Sequence, residues 1–167
     1  YLKAPSWKTE DFRFAQSHLW ITSFLYGLLR PMDMVHPYRL EGKVMLEASE
    51  EKTLFDFWRS RLTDLLLKSV KADDGILLYL ASEEMKLLFD WKRIRSELHI
   101  IQPHFFIMKD GRPKTIVIYT KTCRGAMAHY VICNRIHNPE DLKAFEHEGF
   151  TYTDQYGDND HPNFCIL

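Results

Sequence analysis

The sequence lacks most of the patterns that announce a standard chemistry. It has no G-x-x-x-x-G-K-[ST] loop and no G-x-G-x-x-G turn, so nucleotide binding by either route is excluded. Its three cysteines, Cys123, Cys133 and Cys165, are an odd set without C-x-x-C spacing. That argues for reduced thiols and against a disulfide framework. No apolar stretch approaches the roughly 20 residues of a membrane span, and no secretory leader is read. The expectation is a cytoplasmic protein with no membrane partner. Neither sign of charge dominates: 22 basic residues face 23 acidic ones, a net charge of −1. A dedicated nucleic-acid binder is usually basic overall, so any such surface here is a local patch. No repeat, no low-complexity tract and no linker that would split the chain is read along the sequence.

Metal-ligand spacing is missing too. Cys133 and His137 stand four apart, and Asp158, Asp160, His161 and Cys165 gather near the end. Neither set has zinc-finger, H-E-x-x-H or EF-hand spacing, so no metal and no cofactor is expected. None of the eight histidines falls in a Ser/His/Asp or Cys/His arrangement, and His104 reads as a packed or edge residue of a strand.

What is present is a chain of 167 residues, 46% hydrophobic and 14% aromatic, enough for one packed domain. Thr9 caps a helix through about Ser17, and Leu19–Thr22 is β-prone. Lys52–Val70 repeats Leu54, Phe57, Trp58, Leu62, Leu65 and Leu66 at spacings of three and four, the mark of an amphipathic helix, stopped by Asp73-Asp74-Gly75. Ile76–Ala81 suits a strand buried on both faces, and Glu83–Asp90 a short helix. Leu98–Met108 and Lys114–Thr120 flank a turn at Lys109–Pro113 and read as a hairpin. Helical spacing returns over Arg124–Ile136. Asn138-Pro139 opens another helix to about His147, and strands are expected at each end of the polar tail. The fold class is α/β or α+β: a single domain, a mixed β-sheet flanked by helices, with a β-hairpin around residues 98–120.

Three polar junctions are candidates for chemistry. Leu25–Glu41, LYGLLRPMDMVHPYRLE, carries Arg30, Asp33, Tyr38, Arg39 and Glu41 through proline-forced turns among apolar residues. Asp33 and Glu41 are near enough to pair with Arg30 and Arg39, and such pairs can brace the fold or shape a pocket. Ser82–Glu84 follows the apolar strand. Lys121, Thr122 and Arg124 gather where a helix is expected to start, a place whose free N–H groups favour an anion. Arg124 paired with Glu83 or Glu84 is the competing structural reading. The basic residues at Lys109, Arg112 and Lys114 sit at the hairpin tip and read as a solvated rim.

The same segments carry a resemblance. LYGLLRPMDMVHPYRLE, then LFDFW at Leu54–Trp58, LAS at Leu80–Ser82, KTCRG at Lys121–Gly125, NRI at Asn134–Ile136 and EGF at Glu148–Phe150 resemble, in order, the motifs of the YaaA family of bacterial peroxide-stress proteins. The resemblance implies a cytoplasmic protein of the oxidative stress response, concerned with peroxide and iron homeostasis and linked to DNA binding. The family's opening SPAKT-like strand and following helical segment are not matched. The expectation is therefore a YaaA-like domain over residues 1–167 that corresponds to the C-terminal two-thirds of the family pattern. A helix-hairpin-helix module is not seen either. After LAS many relatives continue with an acidic residue, an aromatic and a lysine. Here Glu83, Glu84, Met85 and Lys86 depart from that order.

The functional expectation is DNA binding through a positively lined cleft, with Lys121, Arg124, Arg30 and Arg39 on the anion and Asp33, Tyr38, Glu41 and Ser82 in support. The alternative is an enzyme on a small phosphate- or carboxylate-bearing substrate, with Lys121 and Arg124 as the clamp and Glu83 or Glu84 as the acid–base group. A third reading is a structural fragment without activity of its own.

Overall fold

The computed structural model describes residues 1–47, 50 and 52–166. In chain order the elements are a 3-10 turn at Ala4–Ser6, α1 Thr9–His18, β1 Ile21–Ser23, β2 Gly27–Leu29, α2 Leu54–Lys71 and β3 Ile76–Leu78. A 3-10 helix at Glu83–Leu88 follows, then α3 Trp91–Glu97, β4 His99–Ile101, β5 His104–Lys109, β6 Arg112–Lys114 and α4 Val117–Asn134. A 3-10 helix at Pro139–Ala144, β7 Thr151–Thr153 and β8 Asn163–Ile166 complete the order. The class is mixed α/β. Backbone contacts gather into two compact units: Tyr1–Phe14, Leu78–Leu80 and Ile100–Leu167 form the first, Ala15–Leu77 and Ala81–His99 the second.

The first unit is built on a four-stranded sheet in the order β6-β5-β8-β7. β5 runs parallel to β8, with His104 opposite Asn163 and Phe106 opposite Cys165; the outer pairs are antiparallel. Asn163, Phe164 and Cys165 are all buried, as a central strand covered on both faces requires. Phe105, Phe145, Phe150 and Phe164 form one aromatic cluster. The Phe164 ring stacks on Phe105 at 5.4 Å between centroids and meets Phe145 edge-on at 5.5 Å. From α4, Cys123 and Met127 are also fully buried.

The second unit is organised by α2. Thr53 caps it through a reciprocal box, its hydroxyl accepting from the Asp56 N–H while the Asp56 carboxylate accepts from the Thr53 N–H. The Thr53 hydroxyl also donates to the Asp56 carboxylate at 2.7 Å, and this bond first, with the Thr53 N–H and Arg59 adding to it, holds the Asp56 carboxyl below its usual pKa. One face of α2 buries Phe55, Leu62, Leu66, Leu67 and Val70. The buried Thr63 hydroxyl donates to the Arg59 carbonyl and accepts from the Asp90 N–H, which ties the start of α3 to this face. β1 and β2 form an antiparallel hairpin. Gly27 closes it at φ +77, where a side chain would also strike the Trp58 ring at 2.8 Å.

Four expectations are corrected. The β-branched run Ile116–Thr120 is not the second strand of the hairpin: β6 ends at Lys114 and α4 begins at Val117. Strand and helix propensities differ by only about 1 kcal/mol, and tertiary context decides. Leu98–Met108 is two strands, interrupted at the buried Pro103, with the Gln102 and His104 N–H groups donating to Asp160 and Pro162. Ile76–Leu78 is a three-residue strand and only half buried. The helix at Trp91–Glu97 was not expected; its signal is Asp90, whose carboxylate accepts from the Arg93 N–H.

Candidate functional site

The proline-broken segment after β2 lies in the second unit and is knit by hydroxyl groups. The Tyr38 and Ser23 hydroxyls are 2.5 Å apart, and the Tyr26 N–H also donates to the Ser23 oxygen. The Tyr26 hydroxyl accepts from the His36 N–H, and the two tyrosine rings meet edge-on. Tyr38 is thus a positioning residue for the turn.

Arg30 is used differently from the ion pairs expected of it. Its guanidinium lies over the Trp20 ring, 3.4 Å from the centroid, and donates to the Leu19 carbonyl and the Ser69 hydroxyl. The Asp33 carboxylate instead accepts from the Arg30 backbone N–H at 2.7 Å, a local turn bond. Burial lowers the Arg30 pKa, with Asp33 opposing. Arg39 and Glu41 are exposed and, among the described residues, make no ion pair. The expected Arg30/Arg39–Asp33/Glu41 bridges are therefore not formed: a planar cation finds an aromatic face ten residues back before it finds a short carboxylate in a tight turn. Arg30→Ala is expected to cost about 2 kcal/mol of stability, from the lost stacking and two hydrogen bonds, read by urea unfolding. Lysine at this position should restore little of it, since an ammonium cannot stack and fork at once.

Ser82, Glu83 and Glu84 also lie in the second unit, at the start of a 3-10 helix. The Ser82 carbonyl accepts from the Met85 N–H. Glu83 binds the Lys86 ammonium at 2.8 Å, and that ammonium stands 5.1 Å from the Trp91 ring centroid. Lys86 is largely buried and held between these two partners. Glu83 and Glu84 themselves are exposed, not enclosed in a dry pocket.

Lys121 and Arg124 lie in the first unit, on α4. Because that helix starts at Val117, Lys121 falls in its second turn, and the free N–H groups expected beside it belong to earlier residues. The Thr122 hydroxyl donates back to the Ile118 carbonyl. Lys121 is exposed and Arg124 half-buried. Between them Cys123 is buried, and burial pushes its thiol up to about 12.

The charge around this pair is lopsided. From residue 98 to 139 the sequence holds six cations, Lys109, Arg112, Lys114, Lys121, Arg124 and Arg135, against the single carboxylate of Asp110. That is a net +5 within a chain of net −1. Lys109, Arg112, Lys114 and Lys121 are exposed and, among the described residues, unpaired. The hairpin and α4 are packed together, so their charges share one module. Val117, Ile118 and Tyr119 are exposed on the same first turns of α4.

A cluster of long-range contacts was missed. The indole of Trp7 donates to His129 Nδ1 at 2.9 Å, and His129 Nε2 stands 3.6 Å from Cys133 Sγ. His137, noted for its four-residue spacing from Cys133, lies beyond the helix, which ends at Asn134 with Arg135 left-handed. Four-residue spacing toward His129 was the available signal; Trp7, 122 residues away, had none. Burial, with Asp11 second, raises the Cys133 thiol's pKa. At the tail, Asp158 accepts from the Asp160 and His161 N–H groups and meets the His161 ring at 2.9 Å, while Cys165 is buried in β8. Among the described residues no three His, Cys, Asp or Glu side chains converge as metal ligands, and no helix is long and apolar enough to cross a membrane.

The family model described as "Peroxide stress protein YaaA" matches residues 1–156. The chain belongs to the YaaA family. The match begins at the first residue and does not confine the likeness to a C-terminal portion of the family pattern. Among its relatives, a UPF0246 protein of Bacteroides thetaiotaomicron is 48% identical over 157 residues, covering 94% of this chain and 61% of that protein. One of Phocaeicola vulgatus is 49% identical over 158 residues, covering 95% and 62%. One of Porphyromonas gingivalis is 44% identical over 166 residues, covering 99% and 65%. The chain thus spans about three-fifths of the length of these YaaA relatives.

Proposed function

We propose that this YaaA-family chain serves a cytoplasmic peroxide-stress response by holding nucleic-acid phosphates on the basic module formed by the β5–β6 hairpin and α4. The observation that carries the reading is the local charge: net +5 over residues 98–139, with Lys109, Arg112, Lys114 and Lys121 exposed and unpaired among the described residues. Cations spent on folding are ordinarily matched by carboxylates, as Arg93 is by Asp64 and Glu97. Here Arg135 meets Asp11 at 3.3 Å, but Lys109, Arg112, Lys114 and Lys121 make no ion pair among the described residues. A polyanion that releases counterions on binding supplies the missing charge. The hairpin residues, first read as a rim, extend the patch that Lys121 and Arg124 begin.

The test is fluorescence anisotropy with labelled duplex DNA, titrated at several salt concentrations. Each phosphate contact adds about 0.9 to the slope of log affinity against log salt. Lys121→Ala/Arg124→Ala should therefore lower the slope by about two and weaken binding alike across unrelated sequences. Lys109→Ala/Arg112→Ala/Lys114→Ala should lower it by up to about three. Affinity and slope equal to those of the parent in both variants would remove DNA from the role of this surface.

A further inference from the structure

The segment Tyr1–Trp7 meets α4 at two places one helical turn apart. A side chain at Gly125 would strike Tyr1, so the close passage there requires a glycine. At His129, one turn further on, two groups of the same segment converge on one ring nitrogen. The Trp7 indole nitrogen is 2.9 Å from Nδ1, and the Leu2 carbonyl oxygen is 3.0 Å from it. The turn between them explains the convergence: the Lys3 carbonyl accepts from the Ser6 N–H and hydroxyl, and the Trp7 N–H donates to the Ala4 carbonyl.

The two bonds exclude each other. An indole N–H only donates and a carbonyl only accepts. A bare Nδ1 takes the indole and leaves the carbonyl unserved. A protonated Nδ1 serves the carbonyl, and the indole then points one N–H at another. The Cys133 sulfur, 3.8 Å from Nδ1 and 3.6 Å from Nε2, is a weak partner for either nitrogen. Trp7 is 7% exposed, packed edge-on against Phe12 and stacked on the His129 ring. A buried indole left unpaired costs more than a weak thiol contact, so the neutral ring keeps its proton on Nε2 and Trp7 on Nδ1.

We propose that His129 is a proton-operated latch for the segment Tyr1–Trp7: neutral, its Nδ1 holds the Trp7 indole; protonated there from solvent, it releases that indole and holds the Leu2 carbonyl. Histidine is the side chain whose charge ordinarily changes between about pH 5 and 8. The ring is half-buried, so solvent protons reach it. One residue of the segment replaces another at the same atom, and acid re-seats the segment on the helix. Gly125 places this seat beside Arg124 in sequence, yet the latch does not depend on DNA.

The titratable groups around the ring come from three elements. Tyr1 and Lys3 on the segment, Tyr130 and Cys133 on α4, and Glu146 and His147 before β7 border the same depression. Lys8, Asp11 and Arg135 surround Cys133, with Asp11 bound to Arg135 at 3.3 Å. Lys3 opposes a charged ring and Glu146 favours it. Burial raises the Cys133 pKa, so the sulfur stays a thiol through the histidine range.

The experiment is ¹⁵N–¹H correlation spectroscopy of the imidazoles and indoles of the full chain, from about pH 8 to 5. At the upper end the His129 Nδ1 should show the shift of a bare nitrogen. On acidification that shift and the Trp7 indole resonance should move together with one midpoint. Indole exchange, corrected for its intrinsic pH dependence, should become about tenfold faster, the loss of one ordinary hydrogen bond. His129→Asn puts an amide near the place of Nδ1 that accepts from Trp7 and donates to Leu2 without titrating, so its Trp7 resonance should stay constant. His147→Gln should leave the Trp7 response intact, which keeps the neighbouring histidine out of it. A Trp7 resonance that stays still while His129 titrates, or a neutral ring with its proton on Nδ1, overturns the proposal on the parent chain alone, whether or not a variant folds. So does a response that survives in folded His129→Asn or vanishes in folded His147→Gln.

Discussion

Phe164→Ala is expected to lower the unfolding free energy by about 3–5 kcal/mol, the range for truncating a buried phenylalanine. The ring is fully buried and touches three others: Phe105 in a stack, Phe145 and Tyr152 edge-on. Its strand lies inside the sheet, paired with β5 on one side and β7 on the other, so neighbours cannot collapse into the space without bending two ladders. Urea unfolding should show the loss as a lower midpoint at nearly constant slope. Phe164→Leu should cost less, because it leaves a smaller void. A loss under about 1 kcal/mol for alanine would mean that the aromatic cluster is not the core of this unit.

Gly42→Ala is expected to cost about 2–3 kcal/mol for the addition of a single methyl group. A Cβ there would stand 2.2 Å from the tip of the Phe55 ring and 2.4 Å from the next carbon. The ring cannot retreat cheaply: it is buried and meets Phe24 edge-on. Nor can the glycine, whose carbonyl accepts from the Phe55 N–H. Pairing the change with Phe55→Leu should recover part of the loss in a double-mutant cycle. Simple additivity of the two single losses would show that the methyl and the ring do not meet.

These two sites differ in how far they can be read from the chain. α2, with Thr53 before it and its apolar three–four spacing, was legible because cap and period are local facts. The polar tail suggests a strand at each end, and β7 and β8 stand there, without any motif that would fix their bounds. Ile116–Thr120 misled, since a β-branched run states a preference that packing overrules at small cost. The same limit applies to the sites. Asp33 was assigned to a guanidinium because the two are three residues apart, yet Trp20 and Ser69 hold that guanidinium, and Ser69 is 39 residues away. His129 was passed over because the indole that sets its tautomer enters from the other end of the chain. Local pattern located the motifs; which group each side chain serves was decided by partners that no spacing rule reaches.

The parallel seam between β5 and β8 has a consequence for the order in which this unit assembles. β5–β6 and β7–β8 are local hairpins and can zip within microseconds. The seam joins residues about sixty positions apart, so it waits on a long loop search and, by its high contact order, should be the slow step of folding. Until it closes, β5 and β8 each present an open ladder edge rich in phenylalanine. The same edges that find each other within one chain can then find those of a neighbour, and crowded synthesis favours the wrong match. For this fold the interval between two finished hairpins and one finished sheet is the period of greatest exposure to aggregation.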